Sequence, residues 1–183
     1  MSKKSNKKKA SGAGVFLKIS ILFLTVLTIV FLLVTFVFRR TVVHNVSMKN
    51  TLFDGDNIIM DQISYRLSDP KRFDIICFKS YREKDLLIKR IIGLPGETVK
   101  IEDGVIYIND KPIKDVKGLD SIESPGLAAD GITLSDDEYF VVGDNRSESI
   151  DSRSPDVGNV RRREILGKAS IVIWPLNHIK FIK

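Results

Sequence analysis

The sequence predicts a mainly β, antiparallel domain behind one amino-terminal transmembrane helix. Two features predict it. Ile19 to Phe38 is a run of 20 residues without a charge, nearly all Ile, Leu, Val or Phe. Beyond it, short apolar runs rich in Val and Ile are punctuated by turn residues, the pattern of a strand-built domain.

The basic tail comes first. The chain of 183 residues has a formal net charge of +6 and 43% hydrophobic residues, enough for one ordinary core. Lys3, Lys4, Lys7, Lys8, Lys9 and Lys18 supply all of that charge, so the remainder is neutral. A basic pI is therefore a property of residues 1–18 rather than of the domain, which argues against a nucleic-acid partner. This tail is low in complexity as far as Gly14 and is suited to anionic lipid.

The apolar run is next. As a helix, 20 residues span about 30 Å, the thickness of the hydrocarbon layer. A cleaved secretory signal has an apolar region of only about 7–15 residues and ends in small residues. Here the run ends in Phe36-Val37-Phe38-Arg39-Arg40, so residues 19–38 read as an uncleaved anchor. With six lysines before the span and two arginines after it, the amino terminus belongs in the cytoplasm and residues 39–183 outside. Ser47 then follows the anchor by only the eight residues Arg39 to Val46, a reach of about 29 Å at most.

The strands follow. Asn57 to Met60, Phe73 to Phe78, Leu86 to Ile92, Thr98 to Ile101, Val105 to Ile108, Tyr139 to Val142 and Ala169 to Trp174 have strand character. Glu102-Asp103-Gly104 and Asn109-Asp110 are turn signals on either side of Val105 to Ile108. Residues 112–135 lose the period and gather Gly, Asp, Ser and Pro, as a loop or small flap would. Cys77 lies within a buried-looking strand and reads as core. No spacing of the CxxC or HExxH kind is present, so neither a metal nor a cofactor is expected.

Two segments carry chemistry. Asn45-Val46-Ser47-Met48-Lys49-Asn50-Thr51-Leu52 offers a serine, whose hydroxyl is a weak nucleophile until a base takes its proton. His44 is three residues away, on the opposite face of a strand. Leu86-Leu87-Ile88-Lys89-Arg90-Ile91-Ile92-Gly93-Leu94-Pro95-Gly96-Glu97 places two cations in an apolar strand. Lysine can give up its proton when burial disfavours the charge, whereas arginine cannot. Adjacent strand residues face opposite ways, so Lys89 can serve a serine while Arg90 makes a structural pair.

These two segments, followed by Gly143-Asp144-Asn145-Arg146-Ser147-Glu148-Ser149-Ile150-Asp151-Ser152-Arg153, stand in the order found in bacterial type I signal peptidases, which the chain resembles over most of residues 15–174. Phe73-Asp74-Ile75 resembles the family's Gly-Asp-Ile strand, with Phe73 in place of glycine. The resemblance implies a barrel-like antiparallel catalytic domain over 39–183, with Ser47 as nucleophile and Lys89 as general base of a Ser-Lys dyad. It implies further that Ser149 orients the lysine amine and that Asp151 joins a polar network with Arg153, while Asp144, Asn145 and Arg146 are structural. Asn45 occupies the place of a second oxyanion donor. Met48, Leu52, Leu87 and Ile88 are expected to wall pockets for small substrate residues. Asn50 stands where the family usually has proline, and Arg153-Ser154-Pro155-Asp156 departs from the usual segment.

The expected partners are exported preproteins with Ala-x-Ala-type signal peptides and the lipid bilayer, with the chain a single-pass protein of a bacterial plasma membrane. Two rival readings are a self-cleaving repressor with the same dyad, which needs a DNA-binding domain ahead of the serine, and a non-catalytic anchored β adaptor.

Overall fold

The computed structural model describes residues 12–44, 46–79, 86–114, 116, 119 and 121–182, leaving aside the side chains of 33–37. It divides into two units, Met1–Val37 and Phe38–Lys183.

The first unit contains helix α1, Gly12–Val37. It begins ahead of Ile19 because Gly12 to Leu17 are also uncharged and free of proline, so nothing stops the helix before Lys18. Residues 12–32 are exposed on every side. The hydroxyls of Thr25 and Thr28 donate to the carbonyls of Ile21 and Leu24, at 2.8 and 2.9 Å, which satisfies both without water. By length and composition α1 can cross a membrane. It ends at Val37 because Phe38 already belongs to a strand, where it pairs with Asp61.

The second unit is built on two antiparallel sheets. Strands β1 (Phe38–Val42), β2 (Asn57–Asp61), β3 (Ile75–Lys79), β4 (Leu86–Gly93), β9 (Glu138–Val142), β10 (Val160–Arg161), β11 (Ile165–Trp174) and β12 (Lys180–Phe181) form the larger. Its order is β1-β2-β11-β3-β4-β9-β10, with β12 on β11. The smaller contains β5 (Thr98–Glu102), β6 (Val105–Ile108), β7 (Lys111–Pro112) and β8 (Ile132–Thr133), in the order β7-β6-β5-β8. Both turns of this smaller meander use two residues at positive φ, Asp103-Gly104 and Asn109-Asp110, as tight hairpins demand.

Three apolar clusters hold the unit together. One contains Met48, Leu52, Ile58, Ile75, Cys77 and Ile88; a second contains Ile76, Phe78, Leu87, Ile91 and Val141. These two take alternate residues of β3 and β4, so the strands are buried on both faces. Cys77 is fully buried, and burial pushes its thiol up to about 12, which leaves it a small apolar side chain.

The third cluster joins Ile92, Phe140 and Val142 of the large sheet to Val99, Ile101, Ile106 and Ile108 of the small one. At this seam a Cβ on Gly93 would lie 2.5 Å from Val99 and 2.8 Å from Leu134, so only glycine lets the sheets approach. Segment 112–135 contributes Ile122, Ala128 and Leu134 to the same cluster. Its described part contains β8 and a turn of helix at Gly126–Ala128, so apolar anchoring gives structure to a stretch without sequence period.

Candidate active site

Strand β4 sets the geometry. Its register places Lys89 opposite Ile76 and Arg90 opposite Ile75 of β3, so the two cations emerge on opposite faces. Both are buried, Lys89 at 2% and Arg90 at 1% exposure.

The face of Arg90 is a structural lock. Arg90 donates Nε to Oδ1 of Asp144 at 2.8 Å and Nη2 to Oδ2 at 2.7 Å, a fork-to-fork pair with neither side chain open to solvent. Its Nη1 donates to the carbonyl of Phe73 at 2.9 Å. Phe73 has φ of +70°, a region costly to a side chain. The family glycine would adopt it freely. Thr51 Oγ1 donates to Oδ2 of the same Asp144, which ties the serine-bearing turn to this pair.

The opposite face is that of Lys89. Strand β9 pairs with β4 through Arg90↔Val142 and Ile91↔Val141. Continued by one residue past the end of β9, that register would set Gly143 opposite Lys89, and opposed residues of antiparallel strands share a face. A Cβ on Gly143 would lie 2.1 Å from Ser149 Oγ and 2.5 Å from the Ser47 carbonyl oxygen. The space where a side chain at Gly143 would stand is therefore filled by the Ser149 side chain and the Ser47 carbonyl. Ser47 is 8% exposed. Ser149 Oγ is buried and has no hydrogen-bond partner among the described residues.

Gly143→Ala is accordingly expected to lower stability by about 1–3 kcal/mol through overpacking. Processing activity should fall with it, since either Ser149 or the Ser47 peptide must move. Thermal unfolding and a processing assay check this; an alanine variant with wild-type values for both would contradict the packing described.

Asp151 accepts Arg153 Nε at 2.8 Å and Nη2 at 2.8 Å, and also the N–H of Gly143 at 3.0 Å. Arg153 Nη2 reaches the carbonyl of Arg146 at 2.8 Å. The pair thus holds the loop from Gly143 to Arg153 in shape. Asn145 donates its N–H to the Ser47 carbonyl at 3.0 Å. Asn45 lies outside the described residues.

The expected pocket residues are core. Met48, Leu52 and Ile88 are 1%, 0% and 8% exposed within one cluster, and Leu87, 8% exposed, belongs to another. Apart from these, His178 Nδ1 lies 3.0 Å from Oδ1 of the buried Asp56. Asn50 has φ of +83°, which proline cannot adopt, so its turn differs from a proline-bearing one. Sequence reasoning missed the bond from Thr51 to Asp144 and the carbonyl contacts of Asn145. The Ser-Met-x-x-Thr-Leu segment contained a signal for the first.

The arrangement suits serine-based acyl transfer, and comparison with known proteins decides the family. The model of the signal peptidase family, peptidase S26, matches residues 16–174. The chain belongs to that family. It is a serine endopeptidase that removes signal peptides, and α1 gives it the apolar helix of a membrane-anchored family. The chain is 34% identical over 182 residues to a probable signal peptidase I-2 of Synechocystis sp., covering 96% of this chain and 81% of that protein. It is 34% identical over 196 residues to signal peptidase I of Bacillus amyloliquefaciens, covering 98% and 100%. A crystal structure of a signal peptidase I from Enterococcus faecalis aligns at 34% identity with a TM-score of 0.47, covering 56% of this chain and 98% of that one. Membership of the signal peptidase family disfavours the repressor reading, because the match takes in the apolar helix ahead of the serine.

Proposed function

We propose that the chain removes signal peptides from exported preproteins with Ser47 as nucleophile and Lys89 as the base. The observation that carries this is the buried amine of Lys89 on the face where Gly143 leaves room for Ser47 and Ser149. An ammonium at 2% exposure suffers a desolvation penalty that a neutral amine avoids. The neutral amine is the form that accepts a proton.

Lys89 Nζ takes the Ser47 proton as Oγ attacks the scissile carbonyl. The tetrahedral oxyanion accepts a hydrogen bond from the Ser47 N–H; removing one such donor typically costs about 2.7–4 kcal/mol of barrier. The lysine ammonium then protonates the departing amine, which leaves the signal peptide esterified to Ser47. A water, deprotonated by the same amine, attacks the ester and returns the hydroxyl.

Sites of the Ala-x-Ala kind are the expected substrates, since signal peptides end in small residues. The lysines ahead of α1 hold the amino terminus in the cytoplasm and the sheet domain outside a bacterial plasma membrane. There the basic tail meets anionic lipid and the catalytic unit meets preproteins as they emerge.

The test is processing of a preprotein by full-length enzyme carrying Ser47→Ala. Cleavage should drop to background with the thermal midpoint unchanged. Cleavage at the wild-type rate would assign the nucleophile elsewhere.

A further inference from the structure

Two backbone carbonyls flank the side chain of Ser47, and one residue holds both. Asn145 donates its backbone N–H to the carbonyl of Ser47 at 3.0 Å and its side-chain Nδ2 to the carbonyl of Val46 at 3.1 Å. The second bond bears on the chemistry. The carbonyl of Val46 and the N–H of Ser47 belong to one peptide unit, and that unit is trans, the cis bond among the described residues being Trp174-Pro175. In a trans peptide these two groups point in opposite directions. A donor that fixes the Val46 carbonyl therefore fixes the direction of the Ser47 N–H, the group assigned to the oxyanion.

The same carbonyl accepts the N–H of Lys49 at 3.0 Å. That bond closes the turn on itself and does not orient it relative to the rest of the site. The amide of Asn145 does, because it ties the oxygen to the loop that starts at Gly143, opposite Lys89. The orientation of the amide follows from its partners. Turned over, its oxygen would face the Val46 carbonyl, and Ser147 Oγ, 3.3 Å from Oδ1, would lose its acceptor.

We propose that Asn145 is a positioning residue of the reaction: by holding the Val46–Ser47 peptide unit, it aims the Ser47 N–H at the developing oxyanion. This rests on the reading of Ser47 as nucleophile. Asn145 exchanges no proton and touches no reacting atom, so its contribution is made in the transition state rather than in substrate binding.

The experiment uses full-length protein in detergent micelles, with Asn145→Ala and Asn145→Asp beside Ser47→Ala. Aspartate keeps the size and the backbone N–H but sets a carboxylate against the Val46 carbonyl. In both Asn145 variants kcat should fall at least about tenfold while KM stays within about twofold. The acid limb of the Asn145→Ala pH profile should not move, because the base is untouched. A peptide aldehyde of the substrate sequence, whose serine adduct has an oxyanion, should lose affinity by the same factor as kcat.

The proposal is overturned by a kcat within about twofold of wild type in either folded variant. A rise in KM alone, or a loss that follows the unfolded fraction seen by near-UV circular dichroism, overturns it equally. An active Ser47→Ala would bring down the nucleophile assignment instead, so the two failures are told apart.

Discussion

Lys89→Arg is expected to be as inactive as Lys89→Ala, with kcat down by roughly 10³-fold or more and KM little changed. Arginine keeps the charge and the reach of lysine but holds its proton at any pH the protein survives. A role that required only positive charge near the serine would leave the arginine variant working. A role as base would not. Lys89→Met sharpens the comparison, because it replaces a buried amine with an apolar side chain of similar length. That variant should be inactive while remaining folded, so that loss of activity is read apart from loss of structure. Processing kinetics and thermal scans on the three variants decide the matter; an arginine enzyme within tenfold of wild type would refute the base assignment.

Asp144→Ala should be the most damaging single change to stability. Asp144 and Arg90 bury their charges together, at 0% and 1% side-chain exposure, and each satisfies the other through two hydrogen bonds. Removing the carboxylate leaves a guanidinium that can neither lose its charge nor reach water, at a cost of about 3–5 kcal/mol. That is a large share of the roughly 5–15 kcal/mol that holds a domain folded. Thr51 loses its acceptor at the same time, which loosens the turn after Ser47. Replacing both partners with apolar residues, Arg90→Met with Asp144→Leu, should be less destabilising than Asp144→Ala, because no charge is then left alone. Denaturant midpoints of the single and double variants measure this. Equal losses would mean that the pair acts through shape rather than charge.

Much of the fold was legible in the sequence wherever local chemistry decides. Val105 to Ile108 between Asp103-Gly104 and Asn109-Asp110 gave a hairpin with turns that only residues tolerant of positive φ can make. Strands β3 and β4 were visible as apolar runs because both of their faces are buried. What stayed hidden is set by pairing at a distance. Phe38 to Val42 reads as the end of an apolar span followed by two arginines, and it becomes a strand because Asn57 to Asp61 lies beside it. The two-residue strands β7, β8, β10 and β12 have no pattern of their own.

The same division holds at the site. That Ser47 and Lys89 are the residues to consider follows from what each side chain can do. That Asp144 receives Arg90, that Gly143 yields its side-chain space to two serines, and that Asn145 holds two carbonyls depend on register and loop path, which no local spacing encodes.

Whether one amine makes one hydroxyl reactive can be read by covalent labelling. Full-length enzyme is exposed to a serine-reactive acylating probe over a range of pH, digested, and the modified residue found by mass spectrometry. The adduct is predicted on Ser47, increasing with pH through a single deprotonation and absent in Lys89→Arg. Labelling of another serine, or labelling of Ser47 that is unchanged in the arginine variant, would contradict it.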